Sequence, residues 1–331
     1  MRFVFNHPSS IMSKDIKIVL IGSGAVGTSF VYSAINQGLA QEYGIIDIAK
    51  EVAVGHAMDL EDALPVVHRP ARAVYTGDYD IVRDADVLVI TAGRPQKDGE
   101  SRLRMIEDNV KVMANIAGQV KEQGFNGITV IASNPVDIMT YAYQRATGFD
   151  PARVLSSSCT LDTSRLKLEM SKSFSVSPHS IGAFVVGEHG DSSVSTFANA
   201  TIHGIPITEK MYQDVGLDAE ARKAMHTRIY RKAYEIISRK RATYYGIGAT
   251  LAEVVRSIIR DEKLVLATGA LLQGEYGHRD VYAGVPCVVG AKGIERTYEF
   301  PLSDEEKAQF DQSVTILKEN ADRAMDAVFN T

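Results

Sequence analysis

The run IKIVLIG (16–22) is short, almost wholly apolar and rich in β-branched residues, and it leads directly into Gly22-Ser23-Gly24-Ala25-Val26-Gly27. A strand that is apolar at successive positions needs cover on both faces. The glycines turn the chain straight into a helical pattern, AVGTSFVYSAINQGLA. The alternation then recurs. YGIIDI (43–48) leads into EVAVGHAMDLEDAL. ARAVYTG (71–77) is followed by ADVLVITAG (85–93) and a periodic segment from about Arg102 to Gly124. GITVIASNP (127–135) precedes a helical stretch that ends near Gly148. Buried strands alternating with helices imply a parallel sheet covered on both sides. Right-handed crossovers make such a sheet doubly wound.

Beyond about residue 150 the pattern is less regular. Helical periodicity around 164–172, 209–240 and 245–260 is interrupted by strand-like runs such as AFVVG, DVYAGVPCVVG and RTYEF. Gly277-His278-Arg279-Asp280 reads as a turn into a hairpin. From Ser303 to Val328, the residues Phe310, Val314, Leu317, Ala321 and Ala324 repeat at helical spacing behind a Ser303 cap and three acids. The expected fold class is therefore α/β: a Rossmann-type doubly wound parallel sheet over residues 12–150, followed by a mixed α+β domain over 151–331. No linker or repeat separates the halves, so they are expected to pack tightly.

Composition narrows the function classes. Of 331 residues, 45% are hydrophobic and 23% charged, which suits a globular chain with a sizeable core. The net charge of -5, with basic residues interleaved among acids, argues against a nucleic-acid partner. The one basic run, Arg228 to Arg241, reads as a solvated helix face. Two cysteines, Cys159 and Cys287, are too few for a disulfide framework and lack zinc spacing, so they read as buried thiols and no metal is expected. No apolar stretch reaches the length of a membrane span. The start MRFVFNHPSSIM lacks the sustained apolar region of a signal peptide. SKDIKIVLIG after Met12 looks like a natural chain start, so residues 1–11 read as an N-terminal extension and a cytoplasmic location is expected.

The glycine turn carries the most specific local chemistry. Gly22 permits the tight turn, Gly24 lets the backbone approach a pyrophosphate, and Gly27 permits close helix–strand packing. The N–H groups of Ala25 and Val26 at the helix start then face the phosphates. Asp47, 20 residues after Gly27, ends the second strand, where its carboxylate can accept both ribose hydroxyls. An acid there favours NAD over NADP, whose 2′-phosphate would meet a like charge. A glycine turn with an incidental aspartate is the bland alternative.

Other polar clusters follow the strands, at the edge where such sheets bind ligands. QKDGESR (96–102) has the charge and central glycine of a mobile lid. Arg102 could polarise a carbonyl, or simply open a helix. Asn134 could hold a carboxamide or a substrate oxygen; before Pro135 it reads, taken alone, as a helix start. Asp162 and Arg165 stand three apart at the start of a helix, where an ordinary ion pair contributes only a few tenths of a kcal/mol. The functional reading separates them: Arg165 grips a substrate carboxylate with its planar fork, and Asp162 points at an imidazole. That imidazole would be His189, set in GEHGD after an apolar run. Oxidising an alcohol to a ketone needs a proton acceptor that titrates near neutrality, and an aspartate behind it fixes the tautomer. A histidine in a turn is also commonly structural.

Taken in order, GSGAVG, IID, GESR, SNPVDI, LDTSR, GEHGDSS and ATYYGIG resemble the corresponding segments of the L-lactate/malate dehydrogenase family, from about Ile16 to Phe329. The resemblance implies an NAD-dependent hydride transfer to a 2-oxo acid. It makes Arg102 the carbonyl-polarising arginine, Asn134 a contact to cofactor and substrate, and Arg165 the carboxylate clamp. His189 and Asp162 become the proton relay, Thr243 a wall of the substrate site, and Ile247 a neighbour of the nicotinamide. In this family the residue six before the lid arginine faces the far side of the substrate. Arginine there matches a dicarboxylate; here it is Gln96, which implies the pyruvate/L-lactate pair rather than malate, with bulkier 2-hydroxy acids as runner-up. The resemblance further implies a homotetramer. At the positions that bind an activating fructose 1,6-bisphosphate in many bacterial relatives stand Lys167 and Gly182. Glycine offers no donor, so little or no activation is expected.

Overall fold

β1 (Lys17–Ile21) is buried along its whole length, and the rest of the sheet is built outward from it. The computed structural model describes residues 15–69, 71–94, 99 and 102–329, apart from the side chains of Arg102 and Leu103. The expected extension at residues 1–11 lies outside them. After β1 come α1 (Ala25–Asn36), β2 (Glu42–Ile46), α2 (Lys50–Asp62), β3 (Ala73–Thr76) and β4 (Val87–Ile90). Then follow α3 (Arg102–Glu122), β5 (Ile128–Ile131), α4 (Val136–Thr147) and β6 (Val154–Ser156). These six strands pair in parallel in the order β3-β2-β1-β4-β5-β6. The strand order reverses between β1 and β4, which leaves a crevice at their carboxyl ends. β6 carries the parallel sheet past residue 150.

α5 (Thr160–Phe174) opens the second half. It is followed by five two-residue strands: β7 (Ile181–Gly182), β8 (Val185–Val186), β9 (Val194–Ser195), β10 (Thr201–Ile202) and β11 (Ile205–Pro206). The helical pattern expected over 209–240 is two helices, α6 (Glu209–Asp214) and α7 (Ala219–Lys240). Gly216 takes φ +73° between them, and the Asp218 carboxylate accepts the Ala221 N–H at 2.9 Å as the α7 cap. Next come α8 (Tyr245–Ile259), β12 (Leu264–Gln273), β13 (Arg279–Gly290) and β14 (Gly293–Thr297). The turn around 277–280 joins β12 to β13 in a ten-pair antiparallel hairpin.

This hairpin with β14 extends the first sheet rather than forming a separate one. β12 pairs with β6 at Gly269 and Ser156, giving the order β14-β13-β12-β6-β5-β4-β1-β2-β3. One hydrophobic core accordingly spans Ile18 to Met325, and a second, around Leu166, Met170, Val185, Tyr212 and Ile229, lies beneath α5 and α7. α9 (Asp304–Phe329) closes the chain. Its start is a capping box: Glu306 N–H donates to Ser303 Oγ at 3.3 Å, and Ser303 N–H to Glu306 Oε2 at 3.0 Å. The other Glu306 oxygen accepts the Ala198 N–H at 2.9 Å, tying the helix to the loop after β9.

Candidate active site

The glycine turn after β1 is shaped by close packing on one side and open space on the other. Gly22 has φ +100°, and a Cβ there would lie 2.6 Å from Ala92 N. At Gly27 a Cβ would fall 2.3 Å from the Gly22 carbonyl oxygen. A Cβ on Gly24 would meet nothing within 4 Å. No side chain caps the start of α1 among the described residues, so the N–H groups of Ala25 and Val26 border open space, the environment a diphosphate needs. Asp47, directly after β2, accepts the Ser23 N–H at 2.6 Å and the Ser23 hydroxyl at 2.9 Å on one oxygen, and the Ala49 N–H at 2.9 Å on the other. Burial pushes this carboxyl up, but donation from Ala49 and Ser23 outweighs it and holds the group below its ordinary range. The carboxylate is thus ionised at the rim of the cleft.

The GEHGD turn is pinned from two sides. Gly187 exchanges main-chain hydrogen bonds of 2.9 and 2.8 Å with Gly284 of β13. Glu188 N–H donates to Ser313 Oγ of α9 at 2.9 Å, and a side chain on Gly187, at φ +93°, would strike that hydroxyl. The turn holds His189 with Nδ1 2.6 Å from Asp162 Oδ2. Asp162 Oδ1 in turn accepts Arg165 Nη1–H at 3.1 Å. The expected division, with Arg165 reserved for a substrate and Asp162 for the imidazole, is therefore not a spatial separation. A single carboxylate serves both, because residues three apart share one face of α5. The Asp162 and Arg165 side chains are 3% and 9% exposed, whereas His189 keeps 29% and opens toward solvent.

Burial pushes the Asp162 carboxyl up, but the His189 and Arg165 charges and hydrogen bonds more than offset this and hold it below its ordinary range. Burial would lower the His189 imidazole; Asp162, aided by Asp137, raises it above its ordinary value despite opposition from Arg165. The arrangement is a buried carboxylate that favours the protonated form of a half-exposed imidazole, with a guanidinium one bond away.

Other expected residues lie on or beside β5, α8, α5 and β7. Asn134 is exposed at the end of β5, and its carbonyl oxygen accepts Asn109 Nδ2–H at 3.3 Å. Thr243 is half-buried just before α8, and Ile247 is half-buried in its first turns. Gly246 passes Leu161 at the start of α5, and a Cβ on Gly248 would sit 2.8 Å from Ser29 of α1. The glycines of YYGIG thus seat the start of α8 against the start of α5 and against α1. Gln96 and the Arg102 side chain lie outside the described residues, as does most of the expected lid; the Arg102 backbone begins α3. Lys167 stands half-buried on α5, 5.7 Å over the Phe184 ring, and burial lowers its ammonium. A Cβ on Gly182 would lie 2.3 Å from Thr201 Oγ1 of the paired strand β10.

One buried group at this centre has no counterpart among the expected residues. Asp137, in the first turn of α4, is 2% exposed and accepts the Ser156 hydroxyl at 3.2 Å. In sequence it reads as an ordinary acid complementing a helix start. Its burial depends on β6 and β12, which arrive from elsewhere in the chain. Among the described residues no three His, Cys, Asp or Glu side chains cluster as a metal site, and no helix is long and apolar enough to cross a membrane. Cys159 and Cys287 are buried free thiols.

A glycine turn at a strand-order reversal, in one chain with a buried aspartate that joins a histidine to an arginine, is the arrangement expected of a Rossmann-class oxidoreductase. Comparison with known families gives the particular one. Residues 16–156 match the lactate/malate dehydrogenase NAD binding domain, and residues 159–328 its alpha/beta C-terminal domain. The L-lactate dehydrogenase of Mycoplasma mobile is 48% identical over 318 residues, 96% of this chain and 99% of that protein. That of Mycoplasma capricolum subsp. capricolum is 49% identical over 307 residues, 92% and 96%. Among solved structures, the minor L-lactate dehydrogenase from Enterococcus mundtii in its ligands-bound form superposes with a TM-score of 0.90 at 39% identity, over 93% of this chain and 98% of that one. The chain belongs to the lactate/malate dehydrogenase family, and its cofactor is NAD.

Proposed function

We propose that the protein is an L-lactate dehydrogenase that interconverts pyruvate and L-lactate and regenerates NAD in fermentation. The observation that carries this reading is the Asp162 bridge between His189 and Arg165 at the carboxyl edge of the sheet. NADH, when bound, supplies the hydride. Gly22, Gly24, Ala25, Val26, Gly27 and Asp47 would hold its diphosphate and ribose, and Asn134 and Ile247 its nicotinamide end.

The chain's own groups do the rest. Arg165 presents a guanidinium fork to the substrate carboxylate, and its low exposure strengthens that pairing by excluding water. His189, its Nδ1–H fixed by Asp162, offers Nε2 to give a proton to the forming alkoxide and to take it back in reverse. Arg102 and Asn134 stabilise the carbonyl oxygen, and Thr243 closes the wall beside the substrate. The family resemblance assigns Gln96 to the side of the substrate's methyl group, where a neutral residue would give a second carboxylate no positive partner.

The domain division at residues 150/151 and a homotetramer form part of the reading. Self-association is supported by apolar side chains left exposed along and beside α2: Ile48, Val52, Met58 and Val66. Buried free thiols suit the reducing cytoplasm. The test is NADH oxidation at 340 nm with pyruvate and with oxaloacetate in parallel. Faster turnover of pyruvate supports the proposal; faster turnover of oxaloacetate assigns the site to malate instead.

A further inference from the structure

Asp137 is a buried carboxyl that acts on the catalytic turn and that the proposed reaction does not use. Its carboxyl lies where four elements meet. Ser156 of β6 donates to it at 3.2 Å, and the Ser158 hydroxyl ahead of α5 and the His189 main chain are near enough to draw its carboxyl down. On the β12 side the neighbour is Gly269, where a Cβ would sit 2.6 Å from Asp137 Oδ1 and 2.0 Å from Ser156 Oγ. The glycine is what makes room for the carboxyl. Cys159 lies in the same group, and burial, followed by the Asp162 and Asp137 charges, pushes its thiol well up, so it stays neutral. The charges that act on His189 are therefore Asp162 and Arg165 from α5 and Asp137 from α4.

A buried carboxyl with one hydroxyl donor is costly to keep unless something uses its remaining acceptors. Here the acceptors face the backbone of the residue whose side chain Asp162 holds. We propose that Asp137 is a positioning residue for His189, standing behind the main chain that carries the imidazole and adding a second negative charge that sets the pH at which the imidazole exchanges its proton. This rests on His189 being the proton donor. Burial pushes the Asp137 carboxyl up to about 7, although Ser158 and His189 draw it down.

The test uses the full-length protein and the variants Asp137→Asn and Ser156→Ala, with His189→Asn as the reference that lacks the imidazole. Two midpoints are read. One is the pH at which pyruvate reduction falls; the other is the pH at which His189 becomes reactive to diethyl pyrocarbonate, followed by peptide mapping. The amide keeps the shape and loses the charge, so both midpoints move to lower pH by about 0.5–1 unit. Ser156→Ala weakens a donor to the ionised carboxyl and shifts them the same way by less. Loss of rate or thermal stability with unmoved midpoints overturns the proposal. Should Asp137→Asn fail to fold, Ser156→Ala decides by the same criterion. If the wild-type protein leaves pyruvate untouched, the reaction assignment fails, and the carbethoxylation midpoint still decides the role of Asp137.

Discussion

Replacing Asp162 by Asn removes one charge from the centre of the site while preserving its shape. With about 4 Å between charge centres and an effective dielectric near 20, the carboxylate stabilises a His189 imidazolium by about 4 kcal/mol. The amide oxygen still accepts the Nδ1–H, a contact worth about 1 kcal/mol. The remaining loss of about 3 kcal/mol corresponds to about 10²-fold in the proton-coupled step. An amide turned the other way would select the wrong tautomer and deepen the loss. Stopped-flow single turnovers of NADH with saturating pyruvate measure this directly, and NADH fluorescence titration supplies the control, because Asp47 and the glycine turn are untouched. A loss below tenfold, or NADH affinity falling in parallel, refutes the assignment.

The same variant has a signature in stability. The Asp162 carboxyl is held low, so its contribution is present above the ordinary carboxylate range and is lost as pH falls through its folded value. His189 is raised, so its contribution is present below the ordinary imidazole range and is lost as pH rises through its folded value. Both are present together between the ordinary carboxylate and imidazole values, so the difference in Tm between wild type and Asp162→Asn peaks near about pH 5–6.

Gln96→Arg should raise the oxaloacetate-to-pyruvate ratio of kcat/KM by about 10²-fold, through one new charge pair in a water-poor site; an unchanged ratio removes Gln96 from specificity. Asp47→Ser should shift preference from NADH toward NADPH by about tenfold or more as like-charge repulsion disappears, as steady-state rates with the two cofactors will show. Millimolar fructose 1,6-bisphosphate should leave the pyruvate concentration for half-maximal rate unchanged, because Thr201 Oγ1 fills the space a side chain at Gly182 would need. A several-fold fall contradicts that reading.

Much of the fold is legible in short segments, because buried parallel strands are apolar throughout and glycine turns announce themselves. IKIVLIGSGAVG yields strand, turn and helix in twelve residues. β12, LVLATGALLQ, is harder to see: small residues and glycine weaken its strand character, and Gly269 is there to admit the Asp137 and Ser156 side chains. The strands β7 to β11 are two residues each, held by pairing partners rather than by local preference. In the site, residues with distinctive neighbours are visible in sequence: Asp47, Asp162, Arg165 and His189. Asp137 is not, since what distinguishes it is enclosure by β6 and β12. Nor does local sequence reveal that Asp162 serves both His189 and Arg165, which depends on how the turn after β8 lies across α5.

The fate of the transferred hydrogen tests hydride transfer with His189 as proton donor most directly. With NADH deuterated at both C4 positions and pyruvate as acceptor, NMR and chiral analysis of the product should find deuterium at C2 of L-lactate. His189→Asn should bind NADH normally and form almost none. Formation of D-lactate, no label at C2, or near-normal turnover by the His189 variant would contradict it.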